Sequence, residues 1–591
     1  MCSTFIECLL KKRHEKRRDK EMTKNNSGII KFTIGVTGHR DLAKQSHKLL
    51  RRALGAQLHD IQNRFSTLPV EVVCGLAEGA DIMVAQIASE MGISVRAILP
   101  MPLEIYKEDF SKNGLKELEE IIKQPNVELT ELPLNVEQNI NRDSQYILLK
   151  DYIFRRSNVL LALWDKQVTG LPGGTSDVVL EYLSEDCTAP YIISETNVSR
   201  TTRSATDDDD GNLVIAIYTP REATTDLDGI AQIQYLVSDG APNALASLNV
   251  LPHKVSDRWQ GFEKYVVDRQ SNYATEYISY DLYEDGDQGF DDILQNLNGE
   301  FIRADQLAMA NQKFSDYLFK GFALAAGAMG FFFLAYAKLA AIKIFLLAYL
   351  CLFAVGYILF KLSKSRGWFG KHLAYRALAE AFRIKYYLTL SGNSGGIHSG
   401  RLLKVTRINR FKGIEWLYDV IRCSEPLLGR HNSPEGMELI KTRWIKGQSN
   451  YLTKKLHVLH KQHSRLEKIK SVLFFSSFVG ILVLLFFKKE LYHMHLFSLD
   501  GKTLLVFLMG LLPLWLALWE LYQSKMAVRE LSWQYANQQR IFSEASRRMS
   551  EQLNSSSYKA IILGLAESSL TEIFQWTAQR FHREHEPPSA G

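Results

Sequence analysis

Three short stretches of the chain combine glycines, carboxylates and a guanidinium in the way a phosphate-bearing ligand requires. Thr37-Gly38-His39-Arg40 sets a glycine that allows close backbone approach beside an arginine whose planar fork suits phosphate. Gly75-Leu76-Ala77-Glu78-Gly79-Ala80-Asp81 opens a helix, and the free N–H groups of a helix start form an anion site. Trp164-Asp165 precedes Leu171-Pro172-Gly173-Gly174-Thr175-Ser176-Asp177, where glycines again enter a helix. One such turn alone is more often geometry than a site; three in succession point to one ligand. Trp164 fits core packing, and Asp165 a turn or cap, as well as they fit binding. The candidate ligand-binding set is therefore Thr37, Gly38, His39, Arg40, Gly75, Glu78, Gly79, Asp81, Asp165, Gly173, Gly174 and Thr175. No residue is assigned as a catalyst or as a metal ligand.

These stretches need a scaffold that brings them to one edge. KFTIGVTG ends at Gly38, VEVVCG at Gly75, VRAILP at Pro100, VLLALWD at Asp165 and LVIAIYTP at Pro220, and helix-like segments such as Asp41–Phe65 lie between them. Buried strand, glycine or polar turn, helix, repeated, predicts an α/β Rossmann-like parallel sheet. In such a sheet the ligand lies beyond the carboxyl ends of the strands, where the three stretches fall.

At 591 residues the chain is too long for one core, and its mean hydropathy of −0.13 averages a polar first half with long apolar runs in the second. The formal charge of +6 is too small to demand a nucleic-acid partner, and a basic surface facing lipid headgroups explains it equally well. Cys2, Cys8, Cys74, Cys187, Cys351 and Cys423 have neither disulfide-framework nor zinc spacing, which predicts reduced thiols. Residues 1–29 read as a disordered basic tail without the apolar stretch of a secretory signal, and Met22 offers a second start position. Residues 199–212, with four consecutive aspartates, lack the alternating spacing of a calcium loop and read as a solvated insertion. His457, His460 and His463 likewise read as a solvated strip, because no acid or thiol is spaced to complete a metal site.

GVTGHRDL, CGLAEGAD, YILLKDYIFRRSNVLLALWD and LPGGTSDVV resemble the successive motifs of the SLOG superfamily, a Rossmann-like group related to DprA and to the LOG lysine-decarboxylase-like proteins. The resemblance covers roughly residues 30–280 and implies a domain over 30–300 that binds a nucleotide-derived ligand, with no other cofactor required. Members of that group include sensors, phosphoribohydrolases and single-strand DNA binders. The LOG enzymes carry PGGxGTxxE, whereas Pro172-Gly173-Gly174-Thr175-Ser176-Asp177-Val178 lacks the second-half glycine and the next glutamate is Glu181. The displaced acid favours binding over glycosidic-bond hydrolysis.

Four uncharged apolar runs follow, at 321–337, 344–360, 471–487 and 503–519. Seventeen helical residues reach roughly 25 Å, just short of a hydrocarbon core, and flanking lysines such as Lys338, Lys343, Lys488 and Lys502 can snorkel to the interface. Four such runs in two pairs predict a multi-pass protein of the plasma (inner) membrane. The connection between the pairs is rich in Lys and Arg, which places it, both termini and the first domain in the cytoplasm. Within it, His372, Tyr375, Arg376, Ala379, Glu380 and Arg383 recur at helical spacing, as do Trp444, Gln448 and Tyr451. KHLAYRALAEAFRIKYY, RWIKGQSNYL and the paired runs resemble the SLATT group of transmembrane effector domains, over 301–550, with 551–591 as a C-terminal helix and tail. That resemblance implies a homo-oligomeric, pore-forming effector in antiviral defence, responding to a nucleotide second messenger made by a partner enzyme. The alternative is a membrane-tethered nucleotide hydrolase of the LOG type, using Glu78, Asp165 or Asp177 as acid or base; no nucleic-acid partner is expected.

Overall fold

The computed structural model of the chain describes residues 30–134, 142–167, 173–184, 212–222, 229–238, 245–271, 273–282, 292–392, 413–423, 434–496, 499–526, 528–550 and 555–581. The basic tail at 1–29, Leu171, Pro172 and the aspartate run at 207–210 lie outside them. The chain forms two compact units, each assembled from separate stretches. The first takes the described parts of Met1–Ser271, Tyr283–Glu300 and Ser394–Leu428; the second takes those of Asn272–Leu282, Phe301–Asn393 and Gly429–Gly591.

In the first unit the apolar runs become strands β1 (Phe32–Gly38), β2 (Val70–Cys74), β3 (Ser94–Leu99), β4 (Val127–Glu131), β5 (Val159–Trp164), β6 (Val214–Tyr218), β7 (Ile233–Ser238) and β8 (Leu245–Leu248). Between and after them run helices α1 (His47–Arg64), α2 (Ala80–Glu90), α3 (Leu103–Tyr106), α4 (Lys112–Ile122), α5 (Arg142–Arg156), α6 (Thr175–Ser184) and α7 (His253–Gln270). One eight-stranded sheet has the order β4-β3-β2-β1-β5-β6-β7-β8. Its first six strands are parallel, and β7 and β8 add an antiparallel edge. The Rossmann-like class holds, with that antiparallel edge beyond what the strand–helix alternation predicts. The helix expected from Asp41 begins only at His47, because Asp41 and Leu42 are engaged in pairing with the loop after β6.

Alternation along the strands covers both faces of the sheet. Leu149, Ile153 and Phe154 of α5 and Val178, Val179 and Tyr182 of α6 pack on Val73, Leu160, Ala162, Trp164 and Val214. Gly35 faces this side, and a Cβ there would strike Ile153 and Ser157. Phe32 points to the opposite side, stacked on Phe65 with centroids 4.1 Å apart and edge-on to Trp259 of α7 at 5.1 Å. Strands are added to one side of β1 up to β4 and to its other side from β5 on, so β1 and β5 form the topological switch point whose carboxyl ends α/β sheets use for ligands.

The second unit is helical. α8 (Asp292–Lys338), which begins in the first unit, α9 (Lys343–Arg366), α10 (Trp368–Leu390), α12 (Pro434–Leu439), α13 (Gly447–Phe486), α14 (Lys488–His493), α15 (Gly501–Met526), α16 (Val528–Arg548) and α17 (Ser555–Phe581) make it up; α11 (Trp416–Cys423) belongs to the first unit. A π-helical segment, Ile440–Lys446, joins α12 to α13. The four apolar runs lie within α8, α9, α13 and α15 and at their ends, and these are helices long and apolar enough to cross a membrane. Glycines let α15 approach its neighbours: Gly480 meets Met509, Gly330 meets Leu514 and Gly510 meets Leu334. No residue of α9 is buried, as suits a span that faces lipid. Outside the spans, the polar residues at helical spacing on α10 are not surface decoration. Arg376 is 2.6 Å from Asp305 and 2.9 Å from Glu380, and Arg383 pairs with Glu380 and donates to the Tyr280 hydroxyl at 3.1 Å. His457, His460 and His463 are exposed on α13.

Candidate ligand site at the β1–β5 switch point

The crevice is built on the turns that leave β1, β5 and β6. The turn after β1 runs alongside the turn after β6: Leu42 bridges Arg221, Ala43 N–H donates to the Pro220 carbonyl at 3.2 Å and Glu222 N–H to the Asp41 carbonyl at 3.0 Å. Asp165, at the end of β5, lies between them. One carboxylate oxygen is 3.0 Å from Arg221 Nε, and the other accepts the Gln167 N–H at 3.0 Å. His39 Nε2 is 3.0 Å from that second oxygen and 3.1 Å from the Asp165 backbone nitrogen. Burial, with the nearby Arg221 charge, lowers the His39 pKa against the opposing pull of Asp165, so the imidazole is neutral near pH 7. A neutral ring serves these two partners one at a time: a bare Nε2 accepts the amide N–H, and a protonated one donates to the carboxylate.

Arg40 is the exposed cation of the crevice. Its guanidinium lies 5.3 Å from the Tyr146 ring centroid and donates to the Tyr146 hydroxyl at 3.0 Å. That hydroxyl donates onward to Asp109 at 2.6 Å, and Asp109 is in turn paired with Arg142. Tyr146, Asp109 and Arg142 escaped the reading of the sequence. The signal was present: Arg142, Tyr146 and Lys150 stand four residues apart on α5 and form a single stripe. Arg221 was equally accessible to sequence reasoning, since it follows Pro220 at the carboxyl end of a strand.

The two glycine helix entrances prove to be filled by their own helices. At α2, Asp81 Oδ2 accepts the amides of Gly75 at 3.1 Å and Ala77 at 3.4 Å, and burial pushes its carboxyl up to about 7. Gly79 holds φ +91°, and a Cβ there would strike the Arg40 carbonyl; its successor Ala80 donates to the His39 carbonyl at 3.1 Å. The second entrance therefore buttresses the first turn. Glu78 points away to α4, accepting the Ser111 amide at 3.0 Å and its hydroxyl at 2.5 Å, which makes it part of that helix's cap. At α6, Asp177 Oδ2 accepts the Gly173 amide at 2.9 Å, and Lys150 Nζ lies 3.1 Å from Asp177 and 2.5 Å from Glu181. Gly173 also borders the crevice, since a Cβ on it would contact the Tyr146 Cβ at 3.5 Å. Thr175 is buried at the start of α6, Gly174 accepts from Val178 within the same turn, and Thr37 is half-buried in β1 opposite Ala162.

Thr37, Gly38, His39, Arg40 and Asp165 thus stand together at the carboxyl ends of β1 and β5, with Gly79 against the Arg40 carbonyl and Gly173 beside Tyr146, whereas Glu78 serves another helix and Asp81 and Asp177 spend their oxygens on local amides. Among the described residues no three His, Cys, Asp or Glu side chains converge as metal ligands. The arrangement offers an anion one exposed guanidinium beside an aromatic ring, while the buried Asp165 carboxylate and His39 imidazole hold the turn that carries it. No protein-family model and no curated protein sequence matches this chain.

Proposed function

We propose that the chain is a ligand-sensing membrane effector: a nucleotide-derived ligand binds at the β1–β5 crevice, and the helical unit perturbs or permeabilises the bilayer in response, in antiphage defence. The observation that carries this reading is Arg40, exposed at a topological switch point and hydrogen-bonded to the Tyr146 hydroxyl, in a chain that also has four membrane-capable helices. Phosphate would take the guanidinium and the base would stack on the tyrosine. The juxtamembrane lysines and arginines support an orientation with both termini in the cytoplasm, and self-association would complete a membrane pathway. A LOG-type hydrolase is the weaker reading, because it needs an unengaged acid. Glu78 caps a helix, Asp165 is clamped by Arg221, and Asp177 and Glu181 are tied to Lys150.

The test is calorimetric titration of the full chain in lipid nanodiscs with a panel of mono-, di- and cyclic nucleotides, compared with Arg40→Ala. Removing a charge-assisted contact to phosphate should weaken binding by roughly tenfold or more. No heat from any nucleotide would end the sensing reading, and nucleotide breakdown during the titration would restore the hydrolase.

A further inference from the structure

The sheet face that carries Phe32, opposite α5 and α6, is not filled throughout. In the first unit a cavity of about 200 Å³ lies between α1, α7 and the strands β6 and β7. Ile215 of β6 and Tyr235 of β7, paired in register, form its sheet wall, and Ile61 of α1 and Leu251, in the connection from β8 to α7, extend the lining. Ile215 is the second residue of β6, so the cavity lies toward the amino end of that strand. The β1–β5 site is at the carboxyl ends, and neither Arg40, Tyr146, Asp165 nor Arg221 lines this cavity. Pockets for drug-sized molecules run to roughly 300–1,000 Å³, so this volume suits a smaller guest.

Two opposite charges line the cavity without meeting each other. Asp60 and Arg64 stand four residues apart on α1, the spacing at which an acid and a base on a helix ordinarily pair. Arg64 is instead drawn to α7, donating to the Ser256 hydroxyl at 3.2 Å with its guanidinium 5.8 Å from the Trp259 ring centroid. Asp60 has no ion-pair partner among the described residues, and both side chains are open to solvent. Burial pushes the Tyr235 hydroxyl up from its ordinary value, Asp60 adds to the rise, and the Gln57 amide and Arg64 oppose it, so these four groups stand close together. Trp259 also lines the cavity. It is only 2% exposed, and its indole N–H is buried with no acceptor among the described residues. A buried donor without a partner is unfavourable, and an acceptor brought by a guest removes the deficit.

We propose that this cavity binds a small zwitterion, a free α-amino acid with an apolar side chain, its ammonium group on Asp60, its carboxylate on Arg64 and its side chain against Ile61, Ile215 and Leu251. The protein holds its two charges apart on successive helical turns, as the guest holds its own apart on one carbon. The carboxylate supplies the acceptor that Trp259, against which Arg64 lies, is without. Once Asp60 and Arg64 are taken, no charged group remains among the described lining residues to receive a charged side chain. The site is separate from the proposed nucleotide site and does not depend on it.

Equilibrium binding of radiolabelled proteinogenic amino acids to the full chain in nanodiscs tests it. At least one with an apolar side chain should bind at millimolar concentration or below, and Asp60→Asn and Arg64→Gln should each weaken that binding by about tenfold or more. Two analogues of the same amino acid read the assignment on the unaltered protein. Its amide, which lacks the carboxylate, and its N-acetyl derivative, which lacks the ammonium group, should each bind about tenfold or more weaker. The amide should lose nothing further in Arg64→Gln, nor the N-acetyl derivative in Asp60→Asn. No binding of any amino acid at millimolar concentration, or binding that neither the substitutions nor the analogues weaken, overturns the proposal. A nucleotide that competes with the amino acid, and whose own binding falls in Asp60→Asn, would assign the cavity to the nucleotide and overturn it equally. A chain that binds no nucleotide ends the sensing role and leaves the amino-acid result standing.

Discussion

Two aspartates decide how the glycine turns are used. Asp81 and Asp177 each stand where a helix begins, and each turns its carboxylate back onto the amides that a bound anion would otherwise meet. The glycines and the helix starts are legible in the sequence because they need only local backbone rules. Whether an amide is already taken depends on a side-chain rotamer set by tertiary burial, which no spacing reveals. Asp81 makes a testable case. Burial pushes its carboxyl up to about 7, so the native state holds this proton more tightly than the unfolded chain does. The associated loss of stability is absent below about pH 4, grows as pH rises toward about 7 and is complete above it. Asp81→Asn keeps an oxygen for the Gly75 and Ala77 amides and removes the charge. It should stabilise the fold at pH 8 relative to wild type by up to about 4 kcal/mol, seen as a higher thermal midpoint, and leave the two proteins closer at pH 5. Unfolding scans at both pH values check this; parallel pH profiles for the two proteins would show that Asp81 does not titrate in that range.

Among elements, the strands most readable in sequence are the fully buried ones. β1, β2, β3, β5 and β6 are mostly apolar runs, interrupted only by residues such as Thr33, Glu71 and Arg96 and followed by glycine, proline or aspartate, and each forms within a residue or two of its expected place. β4 reads VELTE and is half exposed at the sheet edge, so its polar alternation looks like a loop; β7 and β8 read IQYLVS and LASL, with no helix between them, so the strand–helix alternation does not announce them. The membrane helices were readable for the same reason as the buried strands, because uninterrupted apolar length is a one-dimensional signal. The packing of β1 against α2 was not readable. At Gly38 a Cβ would overlap the Ala80 methyl and crowd Leu163. Gly38→Ala should cost about 3 kcal/mol, because neither neighbour has a flexible end to move aside. Chemical denaturation measures it, and an unchanged midpoint would mean that β1 and α2 can separate without loss.

At the scale of the whole molecule, the chain combines a Rossmann-like unit with four helices able to cross a bilayer. It should therefore stay with the membrane pellet through alkaline carbonate extraction; recovery in the supernatant would mean that the apolar helices are buried against protein instead. The order in which the chain is made adds a constraint. The first unit uses residues on both sides of the first two membrane helices, since Trp416, Asp419 and Arg422 complete contacts begun by Asn158, Arg258 and Tyr265. At a synthesis rate of about 5–20 residues per second, α11 leaves the ribosome roughly eight to thirty seconds after α7. Throughout that interval Arg258 lacks the Asp419 carboxylate and the Gly261 recess lacks the Trp416 indole. A chain truncated before residue 413 can still form all eight strands, which end at Leu248, but leaves the recess at Gly261 empty, so its first unit should unfold at lower denaturant than that of the full chain.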